Sequence, residues 1–240
     1  MAKNTFPQKQ ISLPMIEDFP NIPKECPPNW LIMANKVNEF LMDSKNGVLR
    51  TGENGYKYFT AFLEGKSKEL ITFGCVTLGK ILRGDEVKNL LPTLSDFYSD
   101  VFGLFLNSTK GGRIEYWYLM DVNALTNAII KLKLSDNSSL SEKWRSSANK
   151  LIDLAHMINY DFNDQGYNFD ENIPFTVRDE FRQPDAIAGY AYLMVFAYEF
   201  YKDARYLEEA KNALEIYQSF DENPWYEIPS GAMACLAAAH

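Results

Sequence analysis

The chain has 240 residues, of which 46% are hydrophobic, 14% aromatic and 23% charged, and its net charge is −8. This length and composition are typical of one globular domain with a sizeable core, and the acidic balance argues against a nucleic-acid-binding protein, which needs a basic surface. Three scattered cysteines (Cys26, Cys75 and Cys235) and two histidines form no zinc-binding motif, so neither a metal nor a cofactor is expected.

The first 28 residues contain six of the eleven prolines and show no helical periodicity. They predict an extended arm over residues 1–28, followed by a domain over residues 29–240. No apolar run has the form of a signal peptide or reaches the roughly 18 residues of a membrane span. An odd number of cysteines fits a reducing compartment, so we expect a cytoplasmic protein with no membrane partner. An exported mature form with an added Met1 is the alternative.

Helical periodicity predicts eight helices between residue 29 and the end of the chain. The first begins at an asparagine cap, Asn29, and the sixth has Pro184 at its first position, as helix starts favour. The predicted helices cover residues 29–44, 68–83, 86–106, 117–134, 141–160, 184–201, 206–220 and 229–240.

Polarity alternates from one predicted helix to the next. The even-numbered helices are apolar on nearly all sides, and the later odd-numbered ones carry charge along one face. An apolar helix must be buried whereas a striped helix lies at the surface, so inner helices wrapped by outer ones are expected. The connections into the inner helices (45–67, 107–116, 161–183 and 221–228) are long, and hairpin geometry places them on one rim, where long loops are usually functional.

One predicted hairpin carries a family resemblance. The segment AIAGYAYLMVFAYEFYKDARYLEEAKNALEIYQ resembles an inner helix, short turn and outer helix of the α/α-toroid, or six-hairpin glycosidase-like, proteins. Asp203, Tyr206, Leu207 and Ala210 match the turn signature. The resemblance implies an all-α fold, an α/α toroid of helical hairpins, in a group that contains glycoside hydrolases, unsaturated-uronide hydrolases, polysaccharide lyases and sugar epimerases.

The number of hairpins departs from that family pattern. A complete toroid has six hairpins, and the periodicity here predicts about four. The sequence also ends inside an apolar helix, at CLAAAH, without a C-cap signal. We therefore expect a fragment of a longer protein or an open ring, with a dimer or partner chain covering the open end.

Carboxylates at the starts of inner helices are the catalytic candidates. The stretch 161–185 is the most polar, and one of its acids could protonate a glycosidic oxygen while another activates water. The alternative is a solvated loop, with Asp185 balancing a helix N-terminus. Asp121 lies in the first turns of an apolar helix, where an acid is costly without a role or a partner, and the resemblance to unsaturated-uronide hydrolases implies an acid there. The predicted catalytic residues are Asp121, Asp179, Glu180 and Asp185.

Aromatic side chains beside charged ones recur in the four long connections. Aromatic faces stack on the apolar faces of sugar rings, and arginines and carboxylates bond to hydroxyl or uronate groups; a well-packed rim of the core is the alternative. The predicted substrate-binding residues are Tyr56, Arg113, Glu115, Tyr116, Trp117, Arg178, Arg182, Trp225, Tyr226 and Glu227.

These patterns favour a glycoside hydrolase that acts on an oligosaccharide or polysaccharide through paired carboxylates. Two alternatives stay open. One is a polysaccharide lyase acting on uronates, with Tyr116 or Tyr226 and an arginine. The other is a non-catalytic helical-repeat scaffold that binds a protein or a glycan on the same rim.

Overall fold

In the computed structural model, the described residues are 29–60, 68–108, 111–133, 139–221 and 228–240, and helices predominate among them. Seven predicted helices are confirmed, with ends that shift by about three residues at most, as helix ends commonly do. The predicted arm over residues 1–28 lies outside the described residues. The α-helices are α1 (Trp30–Met42), α2 (Leu70–Leu82), α3 (Tyr116–Lys133), α4 (Ser139–Met157), α5 (Ala186–Tyr201), α6 (Ala204–Gln218) and α7 (Ile228–Ala239).

The chain divides into two compact units, Met1–Val37 and Asn38–His240. The described part of the first unit is the beginning of α1. There the Asn29 Oδ1 accepts a hydrogen bond from the Ile32 amide at 3.1 Å, which confirms the predicted asparagine cap. The second unit contains the core and the other described helices and strands.

The apolar helices of the second unit pack on one another. Helix α3 lies between α2 and α5, and α5 also packs on α7. Gly189 in α5 permits a close approach, because a Cβ there would lie 2.9 Å from the Met120 Cβ. Helix α5 is buried along most of its length, as predicted for an inner helix. Helices α2 and α7, which are also predicted to be inner helices, each leave a side exposed that includes Cys75 and Cys235, respectively.

Helices α4 and α6 are amphipathic, as predicted for outer helices. Each buries one face against the apolar helices: α4 contacts α3 and α5, and α6 contacts α5 and α7. Trp144 and Leu151 line the buried face of α4, and Tyr206 and Ala210 that of α6. The charged residues of both helices face outward for the most part, which is the stripe that predicted their position.

The predicted helix over residues 86–106 is wrong. This stretch forms a 3-10 helix, Leu91–Phe97, and a hairpin of β3 (Tyr98–Ser99) and β4 (Leu104–Phe105). Pro92 cannot continue an α-helix, and Gly103 has a left-handed φ of 69°. Five apolar residues at helical spacing support the predicted helix. Leu90, Leu94, Phe97 and Leu104 are buried, whereas Val101 is 86% exposed. Their spacing therefore predicts which of these side chains are buried, with the exception of Val101, but not the conformation of the backbone.

Short antiparallel strands in the long connections correct the all-α prediction. Strands β1 (Leu49–Thr51) and β2 (Lys57–Phe59) form a hairpin in the 45–67 connection. Strand β5 (Arg113–Glu115) pairs with β6 (Gly166–Asn168), which pairs with β7 (Ile173–Phe175). Runs of three residues are too short to show the strand period in a sequence. The described part of the chain is thus mostly helical, with three small antiparallel sheets.

No helix within the described residues is both long enough and apolar enough to cross a membrane.

The turn from α5 to α6 supplies a prediction about stability. Lys202 ends α5 in the left-handed conformation, and the Asp203 Oδ1 accepts a hydrogen bond from the Arg205 amide at 3.0 Å to cap α6. Replacing Asp203 by alanine is expected to lower the free energy of unfolding at neutral pH by about 1 kcal/mol, whereas Asp203→Asn keeps most of the cap. Urea unfolding of the three proteins measures both values.

The same substitution should show a defined pH dependence. Hydrogen bonds from Arg205, followed by its charge, lower the pKa of Asp203. The stability from the ionised carboxylate is therefore present above the unfolded-state pKa and is lost as pH falls through the lower folded-state pKa. The difference between the unmodified protein and Asp203→Ala should shrink in acid. A difference that stays constant down to pH 2 would contradict this account.

Candidate functional site

A cavity of about 70 Å³ opens where α3, α5 and α7 begin. One wall is apolar and the other carries two carboxylates, an indole and a hydroxyl. Its lining residues are Trp117, Met120, Asp121, Asp185, Ala186, Gly189, Pro229, Ser230 and Met233. Because three helices start at this point, the cavity lies on the side of the molecule where the long connections enter.

Asp185 is the most constrained acid of this cavity. It immediately precedes α5 and is 0% exposed, yet its side chain makes no capping bond to that helix. Its Oδ2 accepts a hydrogen bond from the Trp117 Nε1 at 3.2 Å and is also bonded to the Ser230 hydroxyl. Its Oδ1 is buried and has no hydrogen-bond partner. The predicted alternative, in which the charge of Asp185 interacts with the N-terminus of α5, therefore does not explain why one of its oxygens is buried without a partner.

The free Oδ1 of Asp185 is costly in a folded protein. Nearly all buried polar atoms are paired, and an exception calls for an explanation such as a functional role. Asp185 lines the cavity, and its second oxygen has no hydrogen-bond partner in the protein. A cavity of about 70 Å³ has room for a water molecule, since one water needs roughly 10–15 Å³ of this kind of volume.

Asp121 lines the same cavity and comes from a different helix, α3. It follows Trp117 by four residues in α3, so both side chains lie on one helix face. Asp121 is partly buried and lines the same cavity as Asp185. Asp121 and Asp185, two of the four predicted catalytic acids, thus line one cavity together with the predicted Trp117. Asp185 is distant from the other two residues in the chain.

A network of amide side chains fixes the start of α3. The Gln183 Oε1 accepts a hydrogen bond from the Trp117 amide at 2.6 Å, and the Gln183 Nε2 donates to the Glu115 Oε2 at 3.3 Å. The Gln165 Nε2 donates to the Glu115 Oε1 at 2.9 Å. Each oxygen of Glu115, a predicted substrate-binding residue, thus accepts one hydrogen bond from a glutamine, and Gln183 connects it to the backbone of Trp117.

Negatively charged groups lie near two tyrosines beside the cavity. Burial, followed by the charges of Asp185 and Cys235, raises the pKa of the Tyr217 phenol. Burial also raises the pKa of Tyr118, followed by the negative charges of Glu115, Glu69 and Asp121. Among the residues that the structure describes, no lysine or arginine lines the cavity. Such a site suits a neutral ligand or one that develops positive charge.

The remaining two predicted acids lie elsewhere. Asp179 and Glu180 belong to an exposed 3-10 helix, Asp179–Phe181, and the Asp179 side chain is 91% exposed. The Arg182 Nε bonds to the Asp179 Oδ1 at 3.2 Å, and the Arg178 Nη1 lies 3.8 Å from the Glu180 Oε1. None of these four residues lines the cavity, and their ion pairs are those of a solvated surface segment.

The other predicted binding residues are dispersed. Arg113 stacks over the Phe175 ring at 4.1 Å from its centroid. Tyr116 is fully buried, edge-on to Phe162, and burial raises the pKa of its phenol. Tyr56 is exposed between β1 and β2. Trp225, Tyr226 and Glu227 lie outside the described residues.

Sequence reasoning missed Ser230 and Gln183. Ser230 is the third residue of α7, whereas Asp121 is the sixth residue of α3 and Asp185 directly precedes α5, so all three lie near the start of a helix. Applying one rule to every inner-helix start would have found it. Gln183 has no such signal, because its role depends on how far its side chain reaches across to another helix.

Comparisons with known proteins identify no relative: no family model, curated protein or solved structure matches the chain. The resemblance to α/α-toroid proteins therefore stays a prediction.

Proposed function

We propose that this chain is a glycoside hydrolase of the α/α-toroid type, with Asp121 and Asp185 as its catalytic pair. The observation that carries the proposal is the cavity itself. Two carboxylates from different helices line it, and one of them keeps a buried oxygen without a partner. Hydrolysis of a glycosidic bond needs two carboxyl groups on either side of the bond.

The hydrogen bonds of Asp185 suit a general base. An indole N–H can only donate, so the Trp117 bond is made to an accepting oxygen of Asp185. Asp185 would then take a proton from water as the water oxygen bonds to the anomeric carbon. Asp121 would donate its proton to the departing glycosidic oxygen as the carbon–oxygen bond breaks, and exchange with solvent would reset both groups.

The charge around the cavity favours a neutral sugar. A glycosidic transition state has oxocarbenium character, which nearby carboxylates stabilise. A lyase that acts on uronates needs a cation to neutralise the substrate carboxylate, and the described part of the cavity lining contains no lysine or arginine. Tyr116 is fully buried with a raised pKa, so it is poorly suited to act as the base of a lyase. The hydrolase is therefore the better-supported proposal.

The size of the cavity limits what enters it. A volume of about 70 Å³ is below the 300–1,000 Å³ of typical small-molecule pockets. We propose that the sugar ring lies over the mouth while the attacking water and one ring substituent occupy the interior. Trp117 would supply an aromatic edge to that mouth.

A turnover assay on a panel of neutral and uronate oligosaccharides, read out as released reducing ends, tests the proposal. We expect activity on a neutral member and a rate for Asp121→Asn that is about 10²- to 10⁴-fold lower, the usual contribution of a general acid. Asp153→Asn, which changes an exposed acid on α4, is the matched control and should keep full activity. If no glycan is cleaved and Asp121→Asn leaves glycan binding unchanged, the hydrolase is excluded; binding without turnover would support the scaffold.

A further inference from the structure

A second cleft, of about 420 Å³, lies where α4 and α6 end. This volume is within the range of small-molecule sites. The lining residues are Asn159, Tyr160, Asp161, Phe162, Asn163, Pro184, Ile216 and Phe220. Pro184 directly precedes Asp185 in the chain, so the cleft and the catalytic cavity lie on either side of the start of α5.

The backbone at this cleft holds an unusual conformation. Asn159 and Tyr160 are consecutive left-handed residues, with φ of 51° and 58°, a conformation that non-glycine residues rarely adopt. The conformation places the Tyr160 hydroxyl 2.7 Å from the Glu209 Oε2, to which it donates, while the Asn212 Nδ2 donates to that hydroxyl at 3.4 Å. The Tyr160 ring is thus fixed at its far end while it lines the cleft.

The cleft combines flat apolar faces with hydrogen-bonding groups. Tyr160, Phe162 and Phe220 supply the aromatic part, and the exposed amides of Asn159 and Asn163 supply donors and acceptors. Asp161 Oδ1 accepts from the Asn163 amide N–H at 3.0 Å, so the carboxylate is held in place at one oxygen. Rings with apolar faces and peripheral hydroxyls match this lining, and the lack of lysine and arginine among its described residues favours an uncharged ring.

We propose that this cleft is a second subsite, which binds a neutral pyranose residue of the same glycan whose scissile end reaches Asp121 and Asp185. The glycan would cross Pro184 at the start of α5 to join the two sites. The inference rests on the proposed hydrolase function for the identity of the ligand, but it concerns different residues. The proposed subsite therefore implies a substrate longer than a disaccharide.

Calorimetric binding of oligosaccharides to the Asp121→Asn protein tests this subsite without turnover. The probes are maltotriose, cellotriose, xylotriose and mannotriose, with glucose, xylose and mannose as the short comparisons. We expect at least one trisaccharide to bind, and the added Asn159→Gly substitution to weaken it about tenfold, the effect of one or two lost hydrogen bonds. Binding of the matching monosaccharide should change less than twofold.

Asn172→Gly is the matched control. Asn172 also has a left-handed φ, 56°, and is exposed between β6 and β7, so the substitution removes an amide and relieves the same backbone conformation away from the cleft. It should leave trisaccharide binding unchanged. A second variant, Phe220→Leu, keeps apolar volume but removes a flat face and should also weaken the trisaccharide; thermal melting checks that each variant is folded.

The outcomes separate the subsite from the catalytic proposal. If none of the four trisaccharides binds, or if Asn159→Gly and Phe220→Leu bind them as tightly as the parent, the subsite is overturned. Neither result bears on whether Asp121→Asn lowers turnover. Conversely, weaker binding in Asn159→Gly would stand as support for the subsite even if the turnover assay found no hydrolysis.

Discussion

Replacing Asp185 by asparagine is expected to reduce glycan hydrolysis about 10²- to 10⁴-fold, because a general base typically contributes a factor of that size. The substitution keeps the shape of the side chain and a possible acceptor for the Trp117 Nε1, but it removes the group that takes a proton from water. Initial rates on the neutral glycan identified by the panel, at saturating substrate, measure the effect.

Stability separates a catalytic role for Asp185 from a structural one. The Oδ1 of Asp185 is buried without a partner, which costs stability, so Asp185→Asn should leave the free energy of unfolding unchanged or raise it. Loss of activity together with retained stability is the pattern of a site under functional constraint. A loss of more than 2 kcal/mol of stability, with activity retained in the folded fraction, would contradict the assignment.

Substitution of Ser230 gives a second, smaller test of the role of Asp185. Its hydroxyl is bonded to the Asp185 Oδ2, as is the Trp117 Nε1, so Ser230→Ala removes one of two groups that orient the carboxylate. A smaller loss, about tenfold in rate, is expected from one hydrogen bond. Ser230→Thr keeps a hydroxyl and should recover most of the rate if the hydroxyl and not the packing is responsible.

The sequence predicted most of the helices, and it indicated the acids near the starts of the apolar helices, because both depend on local signals. Apolar residues at helical spacing identify α4 and α6 directly. Asp121 and Asp185 are identified as candidates by their place near the start of an apolar helix, whatever the tertiary arrangement of the helices. The failed helix over residues 86–106 shows the limit. Its apolar spacing was real, but Pro92 and Gly103 outweighed it, and tertiary packing buried the same side chains from a 3-10 helix and a hairpin.

Selection among the acids could not come from the sequence. Asp179, Glu180 and Asp185 lie within seven consecutive residues, and their surroundings in the sequence are equally polar. Only Asp185 is buried, because it directly precedes α5 while the other two belong to an exposed turn with their own arginine partners. The distinction depends on contacts with α3 and α7, which are distant in the chain. Glu115 shows the same limit, since its two glutamine partners come from residues 50 and 68 positions away.

Replacing Glu209 by alanine is expected to cause the largest loss of stability. This α6 residue is 9% exposed and its carboxylate bonds to three groups. The Tyr190 and Tyr160 hydroxyls each donate to Oε2 at 2.7 Å, and the His156 Nε2 lies 2.8 Å from Oε1. Burial, followed by the Glu209 hydrogen bond, raises the pKa of Tyr190, so that phenol stays a donor at any pH at which the protein is studied.

Glu209→Ala leaves the fully buried Tyr190 hydroxyl without its partner and removes the contacts of Glu209 with His156 and Tyr160. We expect the free energy of unfolding to fall by about 2–3 kcal/mol, the cost of leaving a buried hydroxyl unpaired and losing hydrogen bonds to a charged group. Tyr190→Phe is the matched comparison, because it removes one donor while Tyr160 and His156 still hold the carboxylate; its expected cost is about 1 kcal/mol. Urea unfolding measures both. A loss below 1 kcal/mol for Glu209→Ala would show that α6 is held by its apolar face alone, with the histidine and tyrosines contributing only packing.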